Sequence, residues 1–207
     1  VSNGSPALGM GPSITTPLGT GKDPKAVIPG VFELPEDELE PLREMLWEDQ
    51  DEDLSLQSNR YVAIISIGAD VLFKPGESVL SPKGEALLMR IVPALKNLNY
   101  PILLAGHTSP AREELRNYKV TLDPYEFSPT WQISFDRVMA VYSVFKSAGL
   151  SGDKVMVEAF GEYRPKVSNN TAPGRTVNRR VDIVLDRRDS AAGLPGGIKA
   201  PEKNPNV

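Results

Sequence analysis

The sequence predicts a two-layer α/β sandwich with the element order strand, helix, strand, helix, strand, strand. Apolar residues recur at helical spacing in two long segments, and β-branched residues fill or alternate through four short ones. Glycine and proline separate these segments. Helical crossovers between the first strands predict that these strands are parallel neighbours and that the helices pack on the sheet.

Four short segments carry the predicted strands. Tyr61–Ile67 is a β-branched and apolar run, and Pro101–Ala105 is a short buried strand that ends at Gly106. The last two strands are predicted from the alternation of apolar residues with polar or mixed ones. The alternating positions are Val155, Val157 and Ala159 in one strand and Val181, Ile183 and Leu185 in the other.

Two long helices are predicted between these strands. The first begins with Ser81 as the N-cap and Pro82 as the first helical residue, and Pro93 is expected to kink it or to end its regular hydrogen bonding. The second begins at Ser128-Pro129 and ends at Gly149. The apolar stripes consist of Leu87, Leu88, Ile91, Val92, Leu95 and Leu98 in the first helix and of Trp131, Phe135, Val138, Tyr142 and Phe145 in the second.

A shorter amphipathic helix is predicted ahead of the sheet, within Pro35–Trp47. Leu39, Leu42 and Leu46 fall on one helical face. The acidic run at residues 48–53 ends this helix, because negative charge is unfavourable at a helix C-terminus. The apolar face leaves two alternatives open, which are packing on its own domain and contact with a second copy or another partner.

Glycine and proline are concentrated near the two ends of the chain. The 207 residues include 19 prolines and 17 glycines, which cluster before residue 36 and after Ala191. Such segments bury too little apolar surface to offset the entropy lost on ordering the chain. We therefore expect a flexible linker at residues 1–34, the amphipathic helix and acidic segment at 35–58, a folded domain at 59–188, and a disordered tail at 189–207.

Composition argues against several classes of function. The net charge of −4 argues against nucleic acid as a partner. The chain has no cysteine and a single histidine, His107, so we expect no disulfide, no metal site and no other cofactor. Neither Ser109 nor Ser134 lies in a Gly-x-Ser-x-Gly turn, and we expect no catalytic residue.

The sequence contains no apolar run near the roughly 20 residues that a membrane helix requires. It begins at Val1 without an initiator methionine, a basic segment or an apolar signal segment. We expect that it is a piece of a longer protein.

Three short motifs occur in a fixed order within the predicted domain. Gly106-His107-Thr108 ends the second strand, Ile133–Arg137 lies in the second long helix, and Asn178-Arg179-Arg180 leads into the last strand. In this order, over roughly residues 61–187, they resemble the C-terminal peptidoglycan-binding domain of OmpA-type proteins. The segment Phe127–Ser134 is most similar to the flagellar stator members of that family. The resemblance implies an OmpA-like α/β sandwich that binds the cell wall.

The second long helix carries the residues on which a binding function depends. Thr130, Ser134 and Arg137 are spaced so that they share one face. The start of this helix is expected across a loop from the end of the second strand, a usual place for a ligand in an open α/β sheet. An arginine there can bind a carboxylate through two nitrogens. The alternative is that Arg137 pairs with an acid of the protein itself.

The resemblance also implies roles for individual residues. Arg137 corresponds to the arginine that holds the carboxylate of diaminopimelate in the wall peptide. The other candidate ligand-binding residues are Ser109, Thr108, Thr130, Phe73 and Lys74, and the candidates for a structural role near the site are His107, Ser134, Arg179 and Arg180.

Position 109 departs from the family pattern. The family motif reads Gly-His-Thr-Asp, and its aspartate receives the ammonium group of diaminopimelate, whereas this chain has Ser109; Thr130 likewise stands at a family asparagine. Exchange of a charge-assisted hydrogen bond for a neutral one predicts binding weaker by about tenfold or more. On this reasoning Ser109→Asp should strengthen binding. Glu113 or Glu114 in the following loop is the alternative source of the missing charge.

The resemblance implies a non-catalytic periplasmic anchor of the flagellar stator type. Its full-length parent would be held in the inner membrane by an upstream helix, would act as a homodimer and would work with a membrane stator partner. Two alternatives remain open. The domain could be a protein–protein interaction module of an envelope complex that has lost wall binding, or it could anchor another envelope machine.

Overall fold

A computed structural model describes residues 38–47 and 54–188. The predicted linker, the acidic run and the predicted tail lie outside the described residues. The helices are α1 (Glu40–Trp47), α2 (Ala69–Leu72), α3 (Pro82–Asn97), α4 (Ala111–Glu114), α5 (Pro129–Ser147) and α6 (Ala172–Asn178), with a 3₁₀ turn at Gly152–Lys154. The strands are β1 (Leu54–Ser58), β2 (Val62–Gly68), β3 (Ile102–His107), β4 (Val155–Gly161) and β5 (Arg180–Asp186).

The five strands form one sheet in the order β1-β2-β5-β3-β4. Strand β5 is antiparallel to both of its neighbours, β1 is antiparallel to β2, and β3 is parallel to β4. The predicted α/β sandwich with a short preceding helix is confirmed. The prediction of parallel neighbours among the first strands is confirmed for β3 and β4 but was wrong for β2 and β3, because β5 lies between them. Strand β5 is buried along most of its length, as expected of a central strand.

One face of the sheet is covered by helices and the other is more open, which makes the architecture two-layered. Ile65, Ile183 and Leu104 lie side by side across three strands and are fully buried. The neighbouring row on the opposite face, Ile64, Val184 and Leu103, is only partly buried. No helix in the described part of the chain is both long enough and apolar enough to span a membrane.

Helix α1 packs on its own domain. Leu39, Leu42 and Leu46 are buried in the same hydrophobic core as the strands and α3. The apolar stripe predicted from the sequence is therefore present. Of the two alternatives for this stripe, the structure shows packing on the chain's own core. These leucines are not available to form a contact with a second copy.

The predicted start of helix α3 is confirmed, but Pro93 does not end the helix. The Ser81 hydroxyl accepts a hydrogen bond from the Gly84 N–H at 2.9 Å, so Ser81 caps the helix as predicted. The helix continues past Pro93 to Asn97, so Pro93 does not end it, and the alternative of a kink stays a prediction. Pro93 is exposed, so water can reach the backbone carbonyl that loses its partner there.

Helix α5 differs from its predicted form in two ways. Ser128 makes no side-chain cap; its hydroxyl bonds instead to Thr130 and to Tyr163. Trp131 and Phe135, predicted in the buried stripe, are 37% and 38% exposed and stack on one another with ring centroids 5.6 Å apart. Val138 and Phe145 of the predicted stripe are buried as expected, and Ile133, Val141 and Val144 on a neighbouring face complete the buried side of the helix. The predicted end at Gly149 is confirmed, with φ +82°.

Leu42→Ala should lower the free energy of unfolding by about 2–5 kcal/mol, because it removes a fully buried side chain and leaves a cavity. Glu44→Ala, at an exposed position of the same helix, is the control and should change stability by no more than about 0.5 kcal/mol. Chemical denaturation measures both. Unchanged stability in Leu42→Ala together with dissociation of a dimer would favour the partner-contact alternative.

Candidate ligand-binding site

Two glycines allow helix α5 to lie directly against the ends of β3 and β4. A Cβ at Gly106 would lie 2.4 Å from the Ser134 carbonyl oxygen. Gly161 has φ +56°, and a Cβ there would lie 2.8 Å from the Thr130 hydroxyl oxygen. Any side chain at either position would therefore push the helix away from the strands. This contact fixes the position of α5 relative to the ends of the strands. It therefore also fixes the position of Arg137, which lies in the next turn of the helix.

Three of the predicted site residues hold this junction together. The Ser134 hydroxyl accepts from the Gly161 N–H at 3.0 Å and donates to the Trp131 carbonyl at 2.9 Å. The Thr108 N–H donates to the Gly161 carbonyl at 2.9 Å. The Thr130 hydroxyl lies 3.0 Å from that of Ser128. All three side chains are buried, and the contacts show a structural arrangement at the ends of the strands.

A cavity of about 340 Å³ opens beside this junction. It is lined by Asp70, Phe73, Pro75, Gly76, Ser109, Glu113, Glu114, Asn117, Arg137 and Arg179. The structure thus brings together Phe73, Ser109 and Arg137 of the six candidate ligand-binding residues. Lys74, Thr108 and Thr130 are not among the lining residues. Asp70 and Asn117 line the cavity without having been predicted.

Arg137 is the central side chain of the cavity and is only 5% exposed. Its Nη2 donates to Glu114 Oε2 at 3.2 Å, and its Nε donates to the Glu77 carbonyl oxygen at 3.4 Å. The guanidinium carbon lies 5.7 Å from the centre of the Phe73 ring and 6.0 Å from that of Tyr118, within range of cation–π attraction. Nη1 is buried and has no hydrogen-bond partner in the described part of the chain. A guanidinium nitrogen in that state is a ready donor for a ligand oxygen.

The Glu114 carboxylate places a negative charge next to Ser109, the position at which the family pattern has an aspartate. Glu114 Oε1 accepts from both the N–H and the hydroxyl of Ser109, each at 3.0 Å. Because Oε2 faces Arg137, one carboxylate joins the two positions that the family pattern singles out. The alternative that Arg137 pairs with an acid of the protein is therefore realised, although one nitrogen remains without a partner. Glu114 comes from the short helix α4 and is 6% exposed.

A second charged group forms the opposite wall of the cavity. Arg179 donates to Asp70 and to Glu113, both at 3.1 Å, and Glu113 also contacts Arg175. Burial of the Arg179 guanidinium favours its neutral form, but the hydrogen bond and charge of Asp70 outweigh this and raise the pKa of Arg179. Arg179 is thus a wall residue of the cavity as well as a brace.

Tyr118 lies beside Arg137 but is not among the residues that line the cavity. Its hydroxyl donates to Asp136 at 2.7 Å and lies 3.2 Å from the Ser78 hydroxyl. Burial and the neighbouring Asp136 carboxylate raise the pKa of Tyr118 to about 12, so it remains a neutral donor.

His107 and Arg180 belong to a buried network behind the cavity. Asp182 accepts from the Ser66 hydroxyl at 2.7 Å and from Arg180 Nε at 3.1 Å, and its Oδ2 lies 3.3 Å from His107 Nε2. Burial alone would raise the pKa of the Asp182 carboxyl, but the hydrogen bond from His107 and the charge of Arg180 hold it below its usual value. His107 also stacks on Phe160, with ring centroids 5.2 Å apart. His107 and Arg180 thus make buried contacts within the protein, and the structural role expected of them stays a prediction.

A sheet covered by helices on one face, with a buried arginine and a buried acid near the ends of its strands, defines a two-layer α/β domain. Residues 72–179, just over half of the chain, match the family described as the OmpA family. The chain belongs to the OmpA family.

Relatives of this chain include motility proteins and outer-membrane proteins. Motility protein B of Bacillus subtilis is 27% identical over 131 residues, which cover 62% of this chain and 46% of that protein. The chain spans about half the length of the curated relatives it matches.

Two solved structures show the same fold. The cell wall anchor of the T6SS from Pseudomonas aeruginosa superposes with a TM-score of 0.59 at 23% identity, covering 70% of this chain and 96% of the other. The periplasmic domain of Helicobacter pylori MotB superposes with a TM-score of 0.54 at 18% identity, covering 67% and 82%. At these identities the two structures show the fold alone.

The Asp182 network should make stability depend on pH in the acid range. Because the folded pKa of Asp182 is depressed, its contribution is complete above the ordinary value of about 4 and is lost as the pH falls through the folded pKa. Asp182→Asn should flatten this acid loss. It should also lower stability at pH 7 by on the order of 3 kcal/mol, because Arg180 is left without its buried counter-charge.

Thermal unfolding of the wild type and of Asp182→Asn at a series of pH values between about 2 and 7 measures this difference in acid sensitivity. Asp123→Asn, at an exposed turn, is the matched control and should keep the wild-type pH profile. An unchanged profile in Asp182→Asn would show that the network does not contribute to acid sensitivity.

Proposed function

We propose that this domain is a non-catalytic anchor that binds peptidoglycan, with the diaminopimelate residue of the stem peptide in the cavity around Arg137. The observation that carries the proposal is the Nη1 nitrogen of Arg137, which is buried at the cavity and has no acceptor within the described ranges. A buried donor without a partner costs free energy, and a ligand carboxylate would satisfy it with a charge-assisted bond. Membership of the OmpA family supports a wall ligand.

The protein that contains this domain is proposed to be a flagellar stator component. Support comes from the similarity to motility protein B and from the shared fold with the periplasmic part of MotB. On this proposal the domain lies in the periplasm, the full-length protein is held in the inner membrane, and a membrane stator partner assembles with it. Homodimer formation belongs to the same proposal, but it rests on the stator resemblance alone since the α1 leucines are buried within the domain.

An anchor of a different envelope machine is the nearest variant of this proposal. It is favoured by the fold similarity to the T6SS cell wall anchor. Both variants use the same cavity and the same wall ligand.

A protein–protein interaction module without wall binding is the second candidate. It is favoured by an exposed aromatic ladder made of Phe127, Trp131 and Phe135, whose rings stack in sequence with centroids 6.0 and 5.6 Å apart. Exposed aromatic side chains are frequent anchors at protein interfaces. If the domain is such a module, the Glu114 carboxylate would permanently occupy the place of a ligand beside Arg137.

Arg137→Ala should reduce co-sedimentation with purified peptidoglycan sacculi by about tenfold or more, because a charged hydrogen bond to the ligand is lost. Arg60→Ala is the matched control. Arg60 precedes the start of β2, at the opposite end of the sheet from the cavity, and its loss should leave binding unchanged.

Arg137→Ala also leaves Glu114 buried without a counter-charge, which can unfold the domain. The double variant Arg137→Ala/Glu114→Ala removes both charges and should likewise lose binding while it remains folded. Equal sedimentation of the wild type, this double variant and Arg60→Ala would contradict the proposal. Absence of wall binding in the wild-type protein would leave the interaction module as the function.

A further inference from the structure

Glu114 is held more firmly than a surface acid of a short loop helix would be. Three donors converge on its carboxylate, namely the Ser109 N–H, the Ser109 hydroxyl and Arg137 Nη2, at 3.0, 3.0 and 3.2 Å. The side chain is 4% exposed. Its position is thus fixed before any ligand arrives, which lowers the cost of using it in binding.

The free donor and this carboxylate lie side by side. Nη1 and Nη2 of Arg137 are bonded to the same carbon; Nη2 holds Glu114 Oε2, and Nη1 has no partner in the described chain. A ligand oxyanion on Nη1 would therefore have an anionic oxygen as its neighbour. The group that complements such a pair carries a carboxylate and an ammonium on one carbon, as an α-amino acid does.

The other acids of the cavity are less suited to this role. Asp70 and Glu113 are both bound by Arg179, and Glu113 is bound by Arg175 as well. Their side chains are 57% and 29% exposed, against 4% for Glu114. Charge attraction is screened by water at exposed sites and is stronger at buried ones.

We infer that Glu114 receives the ammonium of a zwitterionic amino-acid group, while Arg137 Nη1 receives its carboxylate. This inference rests on the proposed function and names the acid that completes its site. Ser109 acts as a positioning residue that orients Glu114, so the serine at position 109 is not a defect. The residue that selects for the ammonium group, Glu114, thus lies in the short loop helix α4. It is not the residue that follows the end of β3.

This arrangement reverses the effect expected of Ser109→Asp. A carboxylate introduced at position 109 would meet the Glu114 carboxylate at hydrogen-bond distance, and two like charges there repel. Ser109→Asp should therefore weaken binding. In the exchange variant Ser109→Asp/Glu114→Gln, the acid returns to position 109 and the amide at 114 can donate to it, so binding should recover.

Calorimetric titration of the full chain with two soluble probes tests the inference. One probe is a stem tripeptide that ends in diaminopimelate, and the other is the same peptide acetylated on the side-chain ammonium. The wild type should bind the first about tenfold or more tightly than the second, because acetylation removes the charge. Glu114→Gln should lose affinity for the first probe and lose this preference, and the exchange variant should regain it. Glu113→Gln is the matched control and should keep the preference.

The possible failures are distinct. Equal affinity of the wild type for the two probes would overturn the inference, and so would loss of the preference in Glu113→Gln with its retention in Glu114→Gln. In either case wall binding that depends on Arg137 would leave the proposed function intact. A wild type that binds neither probe nor sacculi would overturn both. If Glu114→Gln fails to fold in a thermal scan, the wild-type comparison of the two probes and the weaker binding expected of Ser109→Asp, which keeps Glu114, still decide the matter.

Discussion

Helix α5 lies against the ends of β3 and β4 at backbone contact distance, and the placement of the cavity residues depends on that contact. A Cβ at Gly106 or Gly161 would come within 3 Å of helix atoms, so only glycine allows the approach. Ser134 and Thr108 then tie Gly161 to both the helix and β3. One turn further along, Arg137 emerges beside the loop that follows β3. Ser134 holds this contact through its hydrogen bonds, whereas His107 belongs to the Asp182 network.

The pair of Arg137 and Glu114 fits a binding site better than a stabilising device. Taking two charges out of water costs free energy that their attraction only partly returns. A pair optimised for stability would satisfy both guanidinium ends, yet Nη1 has no partner among the described residues. Arg137 is buried and lies within cation–π range of the Phe73 and Tyr118 rings, and burial strengthens its electrostatic interaction with any ligand. The cost of this arrangement is consistent with selection for recognition.

The sequence was informative where a pattern repeats over many residues. The periodic leucines of α3 were predicted correctly because they reflect burial on one face. The helix ends at Ser81 and Gly149 were predicted because serine can cap a helix start and glycine can adopt the positive φ of a helix end. The order of strands was not predictable from periodicity, since insertion of β5 between β2 and β3 depends on long-range pairing. Strand β1 was missed because its residues are only partly buried and give little alternation. Helices α4 and α6 span four and seven residues, which is too short for a periodic signal.

The same limit applies to the site. Arg137 and Ser109 could be singled out because they lie within or beside motifs on regular elements. The role of Glu114 depends on how α4 turns the chain back toward β3, and two adjacent acids, Glu113 and Glu114, look equivalent in the sequence. The structure separates them, since one faces Arg175 and Arg179 and the other faces Arg137 and Ser109.

Nuclear magnetic resonance of the Arg137 guanidinium and the Glu114 side-chain carboxyl, during titration with the diaminopimelate tripeptide, tests the central claim most directly. We expect both signals to shift together and to saturate at one ligand per domain, with the Arg60 signal unchanged. Shifts confined to the aromatic ladder around Trp131, with none at Arg137, would contradict the account.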